Sequence, residues 1–424
     1  MQYFVRTFLF LAFSVFAMTQ MPPSTTIAAE TTNNTSAAQA SPNGNAEPGN
    51  VSKLPIRSLL YPGATTTVLV RFMPWFGDES HKTFGYHSDD ERQIARQIED
   101  MKSRGIDGAI VDWYGPEAEF KNHVTEHFFR EAERSGFKVA VSEDGGALKK
   151  CEQSGCDVTG KLISDLRYAA DHFQNSPAYV RFDDRPVVTF FGVEKYGIDW
   201  GRVRRELPGN PMLLFRNSGG FEVTGSDGAF SWIAPETVKS GNPYGLSYLE
   251  HFNEVARKHS GKFIMGSAYK GFDDSEAGWG KGRKVEQDCG RTWLATFDVL
   301  NHFYNRNHPL PALLIVTWND WEEGTEIESG IDNCVSISAT AEDGRLRWET
   351  QGPKETLDHY EVFASPDGKQ LFKIAELPLK EREFVLSNAK LPAGRYTFFV
   401  KAVAKASLMN HLSSGVQAET AASR

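Results

Sequence analysis

The sequence predicts an α/β fold, a (β/α)8 TIM-like barrel that is followed by a small all-β sandwich. The first observation is that eight short apolar runs alternate with helical patterns between residues 66 and 318. Such alternation is typical of a parallel sheet covered by helices. The second observation is that helical spacing ends near residue 335, where short alternating runs replace it. A chain of 424 residues is long enough for both parts.

The barrel prediction depends on the order of the strands and helices. The eight strand-like runs are Thr67–Phe72, Gly108–Trp113, Lys138–Ser142, Pro186–Phe191, Met212–Phe215, Gly228–Trp232, Phe263–Ser267 and Leu313–Trp318. Helical apolar spacing covers Asp90–Arg104, Val124–Ser135, Leu162–Phe173, Tyr248–His259 and Val285–Tyr304. No long helix is evident between the fifth and sixth runs, so a doubly wound open sheet is the alternative fold.

The last 90 residues show the alternation of strands that face a core on one side. The runs are Arg345–Glu349, His359–Ala364, Leu371–Ile374, Glu383–Leu386 and Arg395–Ala402. The segment Leu391–Tyr396 resembles the tyrosine-corner strand of fibronectin type III domains, with Trp348 and Tyr360 as core aromatics. This resemblance implies an immunoglobulin-like sandwich over residues 335–424, after a barrel domain over residues 53–334.

The first residues have the pattern of an export signal. One basic residue precedes a short apolar run, and Ile27-Ala28-Ala29 is a suitable cleavage site. We therefore predict a signal peptide over residues 1–29, a disordered linker over residues 30–52 and a periplasmic or extracellular protein. A short membrane anchor is the alternative, whereas cleavage of the signal would leave no stable membrane span.

The charge and the cysteine content of the chain limit which binding partners and cofactors we expect. The net charge of −9 leaves no basic face for a phosphate backbone, so nucleic acid is not an expected partner. Four cysteines are present, Cys151, Cys156, Cys289 and Cys334, and their pairing stays open. No Cys-x-x-Cys occurs among them, and we predict no metal and no cofactor.

The segment Ile315–Glu328 runs from an apolar strand directly into acids and indoles. A carboxyl pair can give and take protons across a glycosidic bond, and indoles stack on sugar rings. Asp320 and Glu323 can converge only if the chain curls just after Asp320, which Gly324 permits. We predict this pair as catalytic and leave retention or inversion open, since the carboxyl separation decides it. A solvated acidic loop is the alternative reading of the segment.

In a barrel, the residues that follow each strand gather at one mouth. Acids and aromatic residues recur at these positions. We predict that a polysaccharide or oligosaccharide substrate is bound there by Trp75, His87, Asp112, Trp113, Tyr114, Glu143, Trp232, Tyr269, Asp273, Trp318 and Trp321.

Several of these segments together resemble glycoside hydrolase families 71 and 99. The resembling segments include Tyr86–Asp90, Val111–Gly115, Tyr269–Asp274 and, most specifically, Trp318–Thr325. Family 99 carries Asn-Glu-Trp-x-Glu-Gly-Thr at the last of these and family 71 carries Trp-Asn-Asp-Tyr-x-Glu; this chain blends the two. The resemblance implies endo-acting hydrolysis of α-glucans or α-mannans, with Glu323 as general acid and Asp320 as the second catalytic carboxylate.

Two other functions compete with this reading. A lectin-like barrel would bind glycans without cleaving them, through the indoles of Trp75, Trp113, Trp232, Trp279 and Trp321. The segment His123–His127 matches the His-x-x-Glu-His pattern of zinc peptidases, although no third ligand is apparent downstream.

Overall fold

The computed structural model describes residues 50–420, so the predicted signal peptide lies outside the described residues. Eight strands form the barrel: β1 Thr67–Phe72, β2 Gly108–Trp113, β3 Lys138–Asp144, β4 Arg185–Phe191, β5 Met212–Arg216, β6 Gly228–Phe230, β7 Phe263–Tyr269 and β8 Ala312–Val316. Each strand pairs with the next in parallel register, and β8 also pairs with β1. The sheet is therefore closed, which confirms the barrel and excludes the open-sheet alternative.

Helices cover the outside of the barrel. They are α1 Glu91–Ser103, α2 Glu119–Ser135, α3 Lys149–Ser154, α4 Val158–His172, α5 Trp200–Glu206, α6 Leu246–Ala256 and α7 Arg291–Phe303. A single 3-10 turn at Ser218–Glu222 joins β5 to β6, as the missing helical pattern there suggested. The barrel tolerates this because the apolar outer face at that point is filled by Phe221 from the turn and Phe252 from α6.

The last predicted helix was too long. It was predicted from Val285, but Val285 lies in a two-residue strand, Lys284–Val285, that pairs antiparallel with Phe272–Asp273. Cys289 and Gly290 then have φ values of 52° and 82°. A right-handed helix cannot pass through positive φ, so α7 begins only at Arg291.

The residues after the barrel form two antiparallel sheets. Their strands are β9 Ser336–Glu342, β10 Arg345–Gln351, β11 Leu357–Ser365, β12 Phe372–Pro378, β13 Glu383–Val385, β14 Gly394–Ala404, β15 Met409–Leu412 and β16 Val416–Thr420. One sheet has the order β9-β10-β13, and the other has the order β15-β14-β11-β12, with β16 also on β14. Trp348 and Tyr360 are buried with ring centroids 5.5 Å apart. The two sheets agree with an all-β domain, and its specific similarity to fibronectin type III domains stays a prediction.

The barrel and the C-terminal sheets share several connections. Asn50–Val51 precedes β1 in the chain but pairs with β15. The Trp293 indole of α7 donates to the Ala406 carbonyl at 3.0 Å. A disulfide joins Cys289 to Cys334, and a second joins Cys151 to Cys156. The first bond fastens the start of α7 to the segment that leads into β9.

Candidate active site

The chain folds into a closed turn directly after β8. The Thr317 amide donates to the Thr325 carbonyl at 3.0 Å, and the Thr325 amide donates to the Asp320 carbonyl at 3.1 Å. The Glu323 amide donates to Oδ1 of Asp320 at 3.0 Å. Gly324 has a φ of 60°, a conformation that costs glycine little. Asp320 and Glu323 therefore lie on one tight turn, as the predicted curl requires.

Two neighbouring loops hold this turn in place. The Asn319 side chain accepts from the Met73 amide at 2.8 Å and donates to the Met73 carbonyl at 3.0 Å. The Glu323 carbonyl accepts from the Asp273 amide at 2.8 Å. A Cβ at Gly324 would lie 3.2 Å from that amide nitrogen, so a side chain would also crowd this contact. The turn is fixed to the ends of both β1 and β7.

The turn borders a cavity of about 540 Å³ at the carboxyl-terminal mouth of the barrel. Four carboxyl side chains line it, those of Asp112, Asp144, Asp320 and Glu323, together with Arg71. A second cavity of about 670 Å³ adjoins the first. Side chains that line both cavities are Phe191, Trp232, Trp279 and Glu323. The volumes and the aromatic walls suit ring-shaped ligands.

The side chains that line the first cavity follow from strand alternation. In the sheet register Arg71 lies beside Ile110, Asp112 beside Ser142, and Asp144 beside Phe191. Neighbours across a sheet point to the same face, so these residues form successive layers inside the barrel. The layers nearest the carboxyl-terminal mouth carry Arg71, Asp112 and Asp144, whose side chains line the first cavity.

Burial shapes the acidity of the carboxyl groups. Burial raises the pKa of Asp320 well above its usual range, and the nearby Glu323 carboxylate raises it further. Burial also raises the pKa of Glu323, although the Trp279 indole, which donates to its Oε1 at 3.1 Å, opposes the rise. Burial and the charge of Asp112 raise the pKa of Asp144 to about 7. The raised pKa values favour the protonated forms of these carboxyl groups, as proton donation requires.

Arg71 is the buried cation of this cluster. Its guanidinium forms a salt bridge with Asp112, and both side chains are almost fully buried. The Arg71 Cζ atom also lies 5.3 Å from the Phe191 ring centroid and 5.6 Å from that of Trp232. The guanidinium therefore balances part of the negative charge and supports two aromatic walls of the cavity.

We expect Arg71→Met to lower the free energy of unfolding by about 3–5 kcal/mol, because it leaves the Asp112 carboxylate buried and unpaired. Urea denaturation at pH 7 measures this change. The double variant Arg71→Met with Asp112→Asn removes both charges and is expected to regain most of the loss. If Arg71→Met alone were as stable as the wild type, the salt bridge to Arg71 would not be needed to stabilise the buried Asp112 carboxylate.

The structure brings six of the predicted site residues to the cavity. They are Trp75, Asp112, Tyr114, Trp232, Asp320 and Glu323. The other predicted residues lie outside both cavities: His87, Trp113, Glu143, Tyr269, Asp273, Trp318 and Trp321. Each of these has a different local environment.

Trp113 and Glu143 point away from the cavity because successive residues of a strand face opposite sides. The Trp113 indole donates to Asn122 Oδ1 at 2.9 Å and packs on Tyr168, with ring centroids 6.2 Å apart. The Glu143 side chain is fully buried, and burial together with the adjacent Asp165 carboxylate raises its pKa. Both are therefore part of the packing between barrel and helices.

Tyr269 and Trp318 are fully buried. The Tyr269 hydroxyl donates to the Tyr244 carbonyl at 2.9 Å. The Trp318 ring lies under the Arg104 guanidinium, with Cζ 4.8 Å from the ring centroid. Their aromatic character serves packing at the edge of the site.

The remaining residues belong to the surrounding loops. The Trp321 ring stacks on Phe84 with centroids 5.9 Å apart, and its indole donates to Glu328 at 3.2 Å. Asp273 accepts from the Ser275 amide and starts a 3-10 turn. His87 is exposed. None of these side chains reaches the cavities.

Some cavity residues were not predicted as site residues. Arg71 carries a signal, since it is the one cation within the apolar run of β1. The sequence predicts Trp279 only as a glycan-binding indole of the lectin alternative. Its side chain is 45% exposed, and it is the exposed large hydrophobic residue among residues 50–420. His81 has no periodic signal because it lies in a long loop. The histidines of the zinc-like pattern, His123 and His127, lie on α2 with rings 4.0 Å apart, outside both cavities.

Comparison with models of protein families identifies a match over most of the barrel domain. The model of glycosyl hydrolase family 71 matches residues 80–356. No curated protein matches the chain significantly.

Three of the solved structures that match the chain have low TM-scores. Pectate lyase PelI from Erwinia chrysanthemi is 15% identical over 20% of this chain and 26% of its own, with a TM-score of 0.16. Pectate lyase Pel3 from Pectobacterium carotovorum is 20% identical over 21% of this chain and 28% of its own, also with a TM-score of 0.16. An engineered protein is 12% identical over 82% of this chain and 93% of its own, with a TM-score of 0.31. The chain thus spans about a quarter of the pectate lyases.

Proposed function

Because the chain belongs to glycosyl hydrolase family 71, we propose that it hydrolyses α-linked glucan chains and that Asp320 and Glu323 are its catalytic carboxyl groups. Family membership makes the protein a glycoside hydrolase with a barrel fold. The observation that supports the residue assignment best is that both carboxyls lie on one closed turn beside the cavity.

The two cavities suggest which carboxyl is the acid. A glycosidic oxygen joins two sugar rings, so its acid catalyst must reach the boundary between two ring sites. Among the described residues, Glu323 is the carboxyl side chain that lines both cavities, whereas Asp320 lines only the first. We therefore assign Glu323 to protonation of the leaving oxygen.

Asp320 is almost fully buried and lines only the first cavity, and we assign it to attack at the anomeric carbon. A carboxylate at this position activates a water molecule or assists attack by a substrate oxygen. Trp232, Trp279 and Phe191 line both cavities and would stack on the rings on either side of the broken bond. A cleft with room on both sides supports endo action.

Export is part of the same proposal. Two disulfides, Cys151–Cys156 and Cys289–Cys334, are typical of proteins in oxidising compartments, which supports a periplasmic or extracellular site of action. No helix within residues 50–420 has the length and apolar character needed to cross a bilayer. For the C-terminal sheets we propose a fibronectin type III-like sandwich.

Release of reducing ends tests the proposed function. The wild type is expected to release oligosaccharides from at least one α-glucan in a panel of α-glucans of different linkage, α-mannans and β-glucans. The double variant Asp320→Asn with Glu323→Gln should release none while still binding the polysaccharide in a pull-down. Binding without hydrolysis by the wild type on every polymer would favour the lectin alternative.

A further inference from the structure

His81 lies in the loop between β1 and α1, and its ring lines the first cavity. The Nδ1 atom lies 2.7 Å from Oε2 of Glu322, and both side chains are nearly buried. The other oxygen of Glu322 accepts from the Lys82 amide at 3.2 Å. Glu322 stands between Asp320 and Glu323 in the sequence, yet its carboxylate holds this loop and lines neither cavity.

The His81 ring is also held by two indoles. It stacks on the Trp75 ring with centroids 4.1 Å apart and planes within 5°. The Trp279 ring meets it edge-on at 5.5 Å, and the Trp279 indole is the donor to Glu323. The ring orientation is therefore fixed from several sides, beside the carboxyl that we assign as the acid. Its second nitrogen, Nε2, has no hydrogen-bond partner among residues 50–420.

The Glu322 carboxylate determines which atoms Nε2 can bind. A carboxylate accepts, so Nδ1 must carry the proton that it shares with Glu322. Nε2 then accepts a hydrogen bond when the ring is neutral and donates one when the ring is charged. A sugar hydroxyl can donate and accept, so it pairs with Nε2 in both states, whereas a methyl ether cannot donate.

We propose that His81 is a specificity-determining residue, whose Nε2 hydrogen-bonds a free hydroxyl of the sugar held beside Glu323. Glu322 and Trp75 position the ring for this contact. The inference rests on the proposed function, because it takes an α-linked glucan as the ligand. It requires one unsubstituted hydroxyl in that sugar.

A cycle of variants and substrate analogues tests this contact. The substrates are an α-glucan oligosaccharide that the wild type cleaves and its single-deoxy and single-O-methyl analogues. His81→Ala is expected to lower kcat/KM on the parent by roughly 10- to 100-fold, since a group of the bound sugar loses its partner. On the deoxy analogue that lacks the contacted hydroxyl, the wild type should show a similar loss, and His81→Ala should add less than about threefold.

Two further variants separate hydrogen bonding from packing. His81→Gln keeps a polar group in the loop and should retain more activity than His81→Ala on the parent. His251→Ala changes an exposed histidine on α6 and should behave as the wild type on every substrate. Melting temperatures of all variants confirm that they are folded, and the Gln variant carries the test if the Ala variant does not fold.

The outcomes are distinguishable. An equal loss for His81→Ala on the parent and on all analogues would overturn the inference and assign the ring to packing, with the proposed function intact. A wild type that cleaves no α-glucan would overturn both.

Discussion

Glu323→Gln is expected to lower kcat on an unactivated α-glucan by roughly 10²–10⁴-fold, because an amide cannot protonate the leaving oxygen. An aryl glycoside with a good leaving group needs little protonation, so its kcat should fall much less. Steady-state kinetics on the two substrates measures the difference. Glu254→Gln, the same change at an exposed position of α6, is the control and should leave both rates unchanged.

The pH profile gives a second measure of the same role. Burial raises the pKa of Glu323, so the wild type should keep an active, protonated acid further toward neutral pH than a solvated glutamate would. The fall of kcat/KM on the alkaline side should disappear in Glu323→Gln on the activated substrate. Equal losses on both substrates, with an unchanged profile, would reassign Glu323 to binding.

Asp320→Asn is expected to lower kcat on both kinds of substrate by roughly 10²–10⁴-fold, because attack at the anomeric carbon needs the carboxylate whatever the leaving group is. The asparagine carbonyl oxygen can still accept from the Glu323 amide, so the turn should be preserved. A nearly active variant would remove Asp320 from the mechanism.

Stability provides a matched check on Asp320. Its folded pKa is raised, so its contribution to stability is present at low pH and is lost as pH rises through the folded pKa. Asparagine never ionises and avoids that loss. At pH values above the folded pKa of Asp320 the variant should therefore melt at the same temperature as the wild type or higher, while it is almost inactive. A lower melting temperature would show that the variant loses activity because its folded state is destabilised.

Much of the barrel could be predicted because its strands are buried on both faces and read as apolar runs. The predicted limits of β1 and β2 agree with the structure. Periodicity failed between Val285 and Gly290, because Val285 lies in a short strand and the residues Asp288, Cys289 and Gly290 have positive φ values that exclude a right-handed helix. Periodicity alone contains no information on such backbone angles.

The candidate site was predicted less completely. The predicted set took polar and aromatic residues at the strand ends without regard to which face they occupy. It therefore included Trp113 and Glu143, whose side chains face the helices. His81 and Trp279 come from two loops that meet only in the folded chain. A salt bridge of 2.5 Å between Lys82 and Glu276 is one of the contacts that join these loops. Residues so far apart in sequence give no local pattern that predicts their meeting.

The pairing of Asn50–Val51 with β15 connects the two ends of the described chain. The polypeptide enters the barrel from the same sheet to which it later returns, so the barrel sequence is enclosed on both sides by the all-β part. A recombinant fragment cut at residue 334 would leave this entering segment without its neighbour and the Trp293 indole without its acceptor. Residues 50–420 should therefore be expressed and engineered together as one folding unit.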